Sequence, residues 1–478
     1  MKIAMICSEA APLVKTGGLG DVTSALSKEL TKQEQDVVIV LPYYKVIKDD
    51  KSLKTKFLSD FRIQMSWRNQ YVGIFTAKIN GVKFYFIDNE SYFKRDNIYG
   101  YDDDAERFAF FCLASLEVLR NVKFKPDVIH VHDWHSAIIP CLLKERFNKD
   151  PFFKGTKSVL TIHNPEFKGF LDKYFLKNYF DLSDYIYDIG NVRFEGMVST
   201  LKAGIHYADI VTTVSPTHRD ELFTYRISDG LNYCLELRRD DFYGILNGID
   251  LEEFNPRTDK KIAANYNESS FLKARNICRK NLLETYKLPQ TKGPIFAVVS
   301  RLTEQKGIDL ILRNIDHIVG NGATLLVLGS GDRSFEQRFE QYRAKYPENV
   351  GIYIGYNNDL AHKIYAGSDF LLMPSAFEPC GISQMIAQAY GCLPIVRETG
   401  GLKDTVIHFD GKNIKKANGL VFKELISERL GETINTALSL YKNKDQMKKL
   451  LKNAMSLDLS WAQSAKKYIE LYEKVLKK

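Results

Sequence analysis

The first residues able to do chemistry are Lys15-Thr16-Gly17-Gly18-Leu19-Gly20-Asp21, a lysine and a glycine-rich loop between a strand over Ile3–Ser8 and a helix predicted to open near Asp21. Glycines carry no side chain, so backbone N–H groups can approach an oxyanion closely, and a helix N-terminus adds about half a positive charge. Lys15 supplies a full charge. Gly17 lies nine residues beyond Ser8, and the spacing is not G-x-G-x-x-G, so the tight turn of a dinucleotide-binding unit is not written here. An ordinary glycine-rich strand-to-helix loop is the competing reading until other segments agree.

Two further clusters occupy the same kind of place. Arg301 and Lys306, followed by Gly307, come after an apolar run ending at Ser300. A guanidinium fork and a mobile ammonium at the carboxyl end of a parallel strand can grip a diphosphate and offset charge growing on a leaving phosphate. Surface solvation is the ordinary role for either residue alone. In Ser375-Ala-Phe-Glu378-Pro379-Cys380-Gly381-Ile382-Ser383-Gln384, Pro379 fixes φ and Gly381 permits close approach, so the amides of Gly381, Ile382 and Ser383 can face a second oxyanion. Glu378 would repel a diphosphate, and its sensible partners are the neutral hydroxyls of a sugar. A favourable charge at a helix N-terminus is its structural alternative.

The series His130-Val-His132-Asp133-Trp134-His135 has the residue types of a metal box, but Trp134 stands where dinuclear hydrolases need an aspartate. No metal is expected, and a hydrogen bond accepted by Asp133 from hydroxyls at a strand end is the better functional reading. His163-Asn164 ends another predicted strand with polar groups. The chain has no G-x-S-x-G, H-E-x-x-H or G-x-x-x-x-G-K-[ST], which sets aside hydrolase, zincin and P-loop kinase chemistry.

These loops need scaffolds. Short apolar runs at Ile3–Ile6, Val37–Leu41, Phe84–Ile87, Val128–Val131, Ser158–Ile162 and Ile210–Val214, then Ile295–Val299, Leu325–Leu328, Phe370–Met373 and Leu393–Val396, alternate with helical patterns. That alternation predicts doubly wound parallel α/β sheets. At 478 residues the chain exceeds one compact core, and the charged stretch after Asn247 is a natural linker. Trp461, Ala465, Tyr468, Ile469 and Tyr472 recur at helical spacing in a terminal helix over 458–478. Thr16-Gly-Gly-Leu19 recurs as Thr399-Gly-Gly-Leu402, an echo of duplicated lobes or a chance match. The aromatic stretch Tyr174–Tyr187 reads as packing or as a surface for stacking sugars.

Hydrophobic residues at 45% and charged residues at 26% describe an ordinary globular protein. The net charge of +8 comes from interleaved acids and bases without a long basic run, which argues against nucleic acid and suits an anionic small substrate. No run approaches about 18 apolar residues, and seven cysteines without paired spacing fit a reducing compartment, so a cytoplasmic protein with no membrane partner is expected.

Taken together, Lys15-Thr-Gly-Gly-Leu, His132-Asp-Trp-His135, Thr161-Ile-His163-Asn164, Leu201-Lys-Ala-Gly204, Thr213-Val-Ser-Pro216, Gly244-Ile-Leu-Asn-Gly-Ile-Asp250, Ser300-Arg-Leu, Gln305-Lys-Gly307, Phe377-Glu-Pro-Cys-Gly381, Gly400-Gly-Leu402 and Trp461 resemble the bacterial glycogen synthases and plant starch synthases. The resemblance implies a GT-B retaining glucosyltransferase. Its two Rossmann-like lobes would span 1–244 and 245–457, flank a cleft, and be completed by a terminal helix, 458–478, crossing back to the first lobe. It implies ADP-glucose as donor and an α-1,4-glucan as acceptor at its non-reducing 4-hydroxyl, with no cofactor and no metal. Arg301, Lys306, Lys15 and the amides after Cys380 would hold the diphosphate, Glu378 the glucose hydroxyls, and Gly355-Tyr356 the adenine. Gly17, Gly18 and Asp21 would approach the nucleotide from the first lobe, while Asp133, Trp134, Asn164 and Asn247 would face the glucose or the glucan. His163 would lend its backbone carbonyl to the reacting carbon.

This chain departs from the family pattern at Pro165-Glu166-Phe167-Lys168-Gly169, where an apolar residue and an aromatic usually precede Gln-Gly, at Ala376, often basic in bacterial members, and at Ser383, usually threonine. A transferase using UDP-glucose or another acceptor, a catalytically silent glucan-binding paralogue and a nicotinamide-dependent oxidoreductase are the competing readings. The presence of Lys15, Arg301, Lys306 and Glu378 opposes the second, and the missing fingerprint opposes the third.

Overall fold

The computed structural model describes residues 1–477, which divide into two compact units. One comprises Met1–Ile245 together with the residues from Ser464 on, and the other Leu246–Gln463. The terminal helix runs Trp461–Leu476, and its residues from Ser464 on count with the first unit.

The first unit is built on a nine-stranded sheet in the order Phe242–Gly244, Ile210–Thr213, Lys157–Ile162, Val128–His132, Lys2–Ile6, Asp36–Pro42, Val82–Asp88, Arg68–Ile79 and Lys56–Met65. Pairing is parallel as far as Val82–Asp88, and the last two strands add antiparallel. The central strands read as unbroken apolar runs because helices cover both faces, and Ile3, Ala4, Met5 and Ile6 are fully buried. Residues of the terminal helix complete this unit: Tyr468, Tyr472 and Val475 are fully buried, and Tyr472 meets His130 of the sheet.

The second unit carries six parallel strands in the order Val350–Ile354, Thr324–Gly329, Ile295–Val299, Phe370–Met373, Leu393–Arg397 and Leu420–Phe422. The helix Ile308–Gly320 buries Ile308, Leu310, Ile311, Leu312, Ile315 and Ile318, the spacing of one helical face.

One expectation is corrected and one open alternative narrowed. The first helix runs Gly18–Lys32 and opens at Gly18, because Gly17 in an extended conformation already serves as its N-cap; Asp21 lies within the first turn, where the helix dipole favours a carboxylate. The repeated Thr-Gly-Gly-Leu follows the first strand of its chain segment in one unit and Leu393–Arg397 in the other, so the two copies occupy non-equivalent positions and need separate causes.

The seven cysteines are all buried and unpaired. Among the described residues no helix is long and apolar enough to cross a membrane.

Candidate active site

In an open parallel sheet, ligands bind outside the carboxyl ends of the strands where the order reverses direction. The first sheet reverses between Lys2–Ile6 and Val128–His132, and the loops leaving those strands carry Lys15–Asp21 and Asp133–Trp134. The second reverses between Ile295–Val299 and Phe370–Met373, and there the loops carry Arg301–Lys306 and Ser375–Ser383. Each unit therefore gathers its own set of sequence-predicted residues at one crevice.

In the first unit the glycine-rich loop is already organised by a carboxylate. Glu9, 3% exposed, accepts from the Thr16 amide at 2.6 Å, the Thr16 hydroxyl at 2.8 Å, the Gly17 amide at 3.4 Å and the Tyr99 hydroxyl at 2.7 Å. Glu9 thus holds the loop from behind and leaves the opening turn at Gly18 to face outward. Lys15 pairs with Asp21 at 2.8 Å, both side chains partly exposed. Tyr99 also stacks on His135 at 4.6 Å and so ties this loop to the short helix Asp133–Ser136.

Asp133 has φ +50, a left-handed conformation that aspartate tolerates better than most residues. Its Oδ1 accepts the amides of His163 at 2.7 Å and Asn164 at 3.3 Å. That oxygen clamps the neighbouring strand end. Burial pushes the carboxyl up to about 7 against the pull of those amides, with nearby Glu9 adding to the rise. Asn164 spends its side-chain oxygen on the Glu166 amide, and Trp134 packs on His135 and Phe108 at 4.2 and 5.1 Å.

Burial pushes His130, His135 and His163 down to about 3 and holds His132 well below its ordinary value, so these imidazoles are neutral. His130 bonds Tyr472 and Thr161, and His132 bonds His163. Among the described residues no three His, Cys, Asp or Glu side chains are placed to share a metal ion.

The second unit contains the tightest charge pair of the site. Lys306 donates to Oε2 of Glu378 at 2.6 Å, and the Ser375 hydroxyl donates to the same oxygen at 3.0 Å. Glu378 is 6% exposed. Two backbone contacts fix this loop. Gly307 has φ +66 and Gly400 φ +43; a side chain at either would strike the carbonyl of Pro374 or of Glu378, which gives the second Thr-Gly-Gly-Leu its own local reason. Arg397 bridges the carbonyls of Ser375 and Ala376. Arg301 is exposed and donates to Gln305 at 3.3 Å.

Beyond Glu378, Gln384 turns back onto the carbonyls of Cys380 and Gly381, leaving Ile382 as the N-cap of the short helix Ser383–Ala389. The Cys380 thiol, pushed up to about 12 by burial, receives the backbone amide of Asn247, so the linker's first residues belong to this cluster. Asn247 itself is 7% exposed, with its side-chain oxygen unpartnered among the described residues. Tyr356, after Gly355 at the edge strand's end, is 81% exposed.

Sequence reasoning missed Glu9, Ser375 as a partner of Glu378, and Lys168. The Lys168 side chain is buried and bonds Asp229 at 2.6 Å and the Pro165 carbonyl at 2.6 Å, so it props up the loop that departs from the family pattern. The only available signal for Glu9 was an acid two residues beyond Cys7 in an otherwise anion-seeking loop. Of the aromatic stretch, Tyr179, Phe180 and Ile186 are buried, whereas Tyr174 and Tyr185 are each 64% exposed.

Comparison with known proteins agrees with this geometry. The starch synthase catalytic domain matches residues 2–237, and glycosyl transferases group 1 matches residues 284–454. The glycogen synthase of Anoxybacillus flavithermus is 43% identical over 477 residues, covering 100% of this chain and 98% of its own. That of Lactococcus lactis is 44% identical, covering 99% and 100%. The solved catalytic domain of starch synthase IV from Arabidopsis thaliana, bound to ADP and acarbose, matches with a TM-score of 0.92 at 31% identity, covering 100% of this chain and 99% of its own. With relatives along its whole length, and with cations and carboxylates at the switch point of each sheet, the chain belongs to the glycogen and starch synthases, glycosyltransferases of GT-B fold.

Proposed function

We propose that this enzyme transfers glucose from ADP-glucose to the non-reducing 4-hydroxyl of an α-1,4-glucan with retained configuration. The observation that carries the reading is the buried Lys306–Glu378–Ser375 cluster. A lysine already neutralising Glu378 lets a carboxylate for sugar hydroxyls stand next to a cation for phosphate, which removes the repulsion a lone glutamate would create.

In this reading Arg301, Lys306 and the amides of Gly381, Ile382 and Ser383 hold the diphosphate, Lys15 in the first unit supplies a further cation, and Tyr356 offers an exposed ring to the adenine. As the bond from C1 to the phosphate oxygen breaks, charge grows on the leaving phosphate where fixed donors stand, each worth roughly 10²- to 10³-fold in rate. The backbone carbonyl of His163 supports the electron-poor C1. The acceptor hydroxyl bonds to C1 on the face the phosphate leaves and gives its proton to that departing phosphate, so no enzymic nucleophile is required.

The choice of an adenosine diphosphate donor is supported by the ADP-bound starch synthase relative, and a bacterial setting by the bacterial relatives. Neither a metal nor a cofactor enters the reading, because protein cations balance the leaving charge. Incorporation of labelled glucose into glycogen from ADP-glucose and UDP-glucose, side by side, tests it. Preference for ADP-glucose is expected, and equal or greater use of UDP-glucose overturns the donor assignment.

A further inference from the structure

One buried group at the first unit's crevice has no task in the reaction above. His132 is fully buried; its Nδ1 stands 3.1 Å from Nε2 of His163, and its own Nε2 is buried without a hydrogen-bond partner among the described residues. Both rings are neutral, so each carries one N–H and one lone pair, and only one of the two facing nitrogens holds the proton between them. Were it His163 Nε2, His132 would keep its proton on Nε2, a buried donor aimed at nothing. Were it His132 Nδ1, the unmet atom would be a lone pair, the less costly omission, because orphaned N–H groups are the rarer of the two in folded proteins. His163 then accepts at Nε2 and must carry its proton on Nδ1. That nitrogen has no partner among the described residues and is not enclosed.

The neighbouring row holds His132 in place. The Leu160 carbonyl only accepts, so Thr212 donates to it at 3.3 Å, Thr161 donates to Thr212 at 2.6 Å, His130 donates from Nε2 to Thr161 at 2.6 Å, and Tyr472 donates to His130 Nδ1 at 2.7 Å. With every proton assigned in one direction, His130 is locked, and its ring stacks on His132 at 4.3 Å.

We propose that His132 is a positioning residue that fixes the tautomer of His163, so that His163 presents a permanent Nδ1–H donor to a hydroxyl of the transferred sugar. This rests on the reading that His163 faces that sugar. A neutral donor suits the place, because an imidazolium would repel the positive charge that develops at C1.

The test is ¹⁵N NMR of histidine-labelled enzyme without substrate, which separates protonated from bare ring nitrogens, with the His163 signals identified by their loss in His163→Gln. Between pH 6 and 8 the wild type should show a protonated Nδ1 and a bare Nε2. His132→Phe should give mixed tautomers and lower kcat by about 10- to 100-fold, the range known for metal-bound histidines that lose an orienting partner, with the donor KM nearly unchanged. His132→Gln, whose amide N–H can still donate to Nε2, should restore one tautomer and most of the rate. A wild-type His163 protonated at Nε2 overturns the proposal, whether or not the phenylalanine variant folds, and so does an unchanged tautomer in a folded His132→Phe. The tautomer is read without substrate, so failure of the sugar-transfer reading would register separately, in the incorporation assay.

Discussion

The two lysines proposed to meet the diphosphate are kept in opposite ways. Lys15 pairs with Asp21 at 2.8 Å while their side chains remain 48% and 33% exposed; Lys306 pairs with Glu378 at 2.6 Å with 15% and 9% exposed. An exposed pair is worth about 0 to 1 kcal/mol, so Lys15 changes partners at little cost. The buried pair is fixed before substrate arrives, and removing one member strands a desolvated charge. The first lysine is thus recruitable and the second preorganised, and fixed charge is what lowers a barrier without reorganisation at the moment of reaction.

The largest effect should follow from breaking the buried pair. Lys306→Ala is expected to cut labelled-glucose transfer by about 10²- to 10³-fold or more and to lower stability in denaturant by about 3 to 5 kcal/mol. Glu378→Ala should act in the same direction, and near-normal transfer in both variants would end the assignment of this cluster.

Lys15→Ala sharpens the contrast. It should lower transfer by about 10²-fold yet shift stability by less than about 1 kcal/mol. A stability loss matching that of Lys306→Ala would erase the distinction between the two lysines.

A smaller effect belongs to pH. The Asp133 carboxyl titrates at about 7, and its ionised form is the stronger acceptor for the His163 and Asn164 amides. The rate should therefore rise through pH 7, and Asp133→Asn should flatten that limb. The buried histidines, neutral from about pH 3 upward, contribute no limb of their own. Stability moves the other way: this acid binds its proton more tightly folded than unfolded, so its contribution declines as pH climbs from about 4, the unfolded value, to about 7. The smallest effect is expected from EDTA, which should leave transfer unchanged.

Much of this was legible from residue order. Ten buried strands announce themselves as apolar runs because helices cover both faces, whereas Lys56–Met65 and Arg68–Ile79 mix polar and apolar residues at a sheet edge and escape notice. Glu378 could be placed in a crevice but not matched with Lys306, 72 positions away, because repulsion between a carboxylate and a phosphate reads as avoidance until a shared cation is seen. Glu9 was invisible for a related reason: an acid beside a loop expected to bind an anion looks adverse, though it organises the amides around it. For Asp133 the strand end was legible but the amide partners were not, since its left-handed backbone turns the carboxylate toward its neighbour's amides.

The interleaving of the chain has a consequence for biosynthesis. Residues from Ser464 on count with the first unit, and Tyr472 supplies the hydroxyl that orders the His130 row. On the ribosome, where amino-terminal portions usually fold first, the segment Met1–Ile245 emerges early yet must wait for helix residues translated after the whole of Leu246–Gln463. The part of the molecule made first is the part finished last.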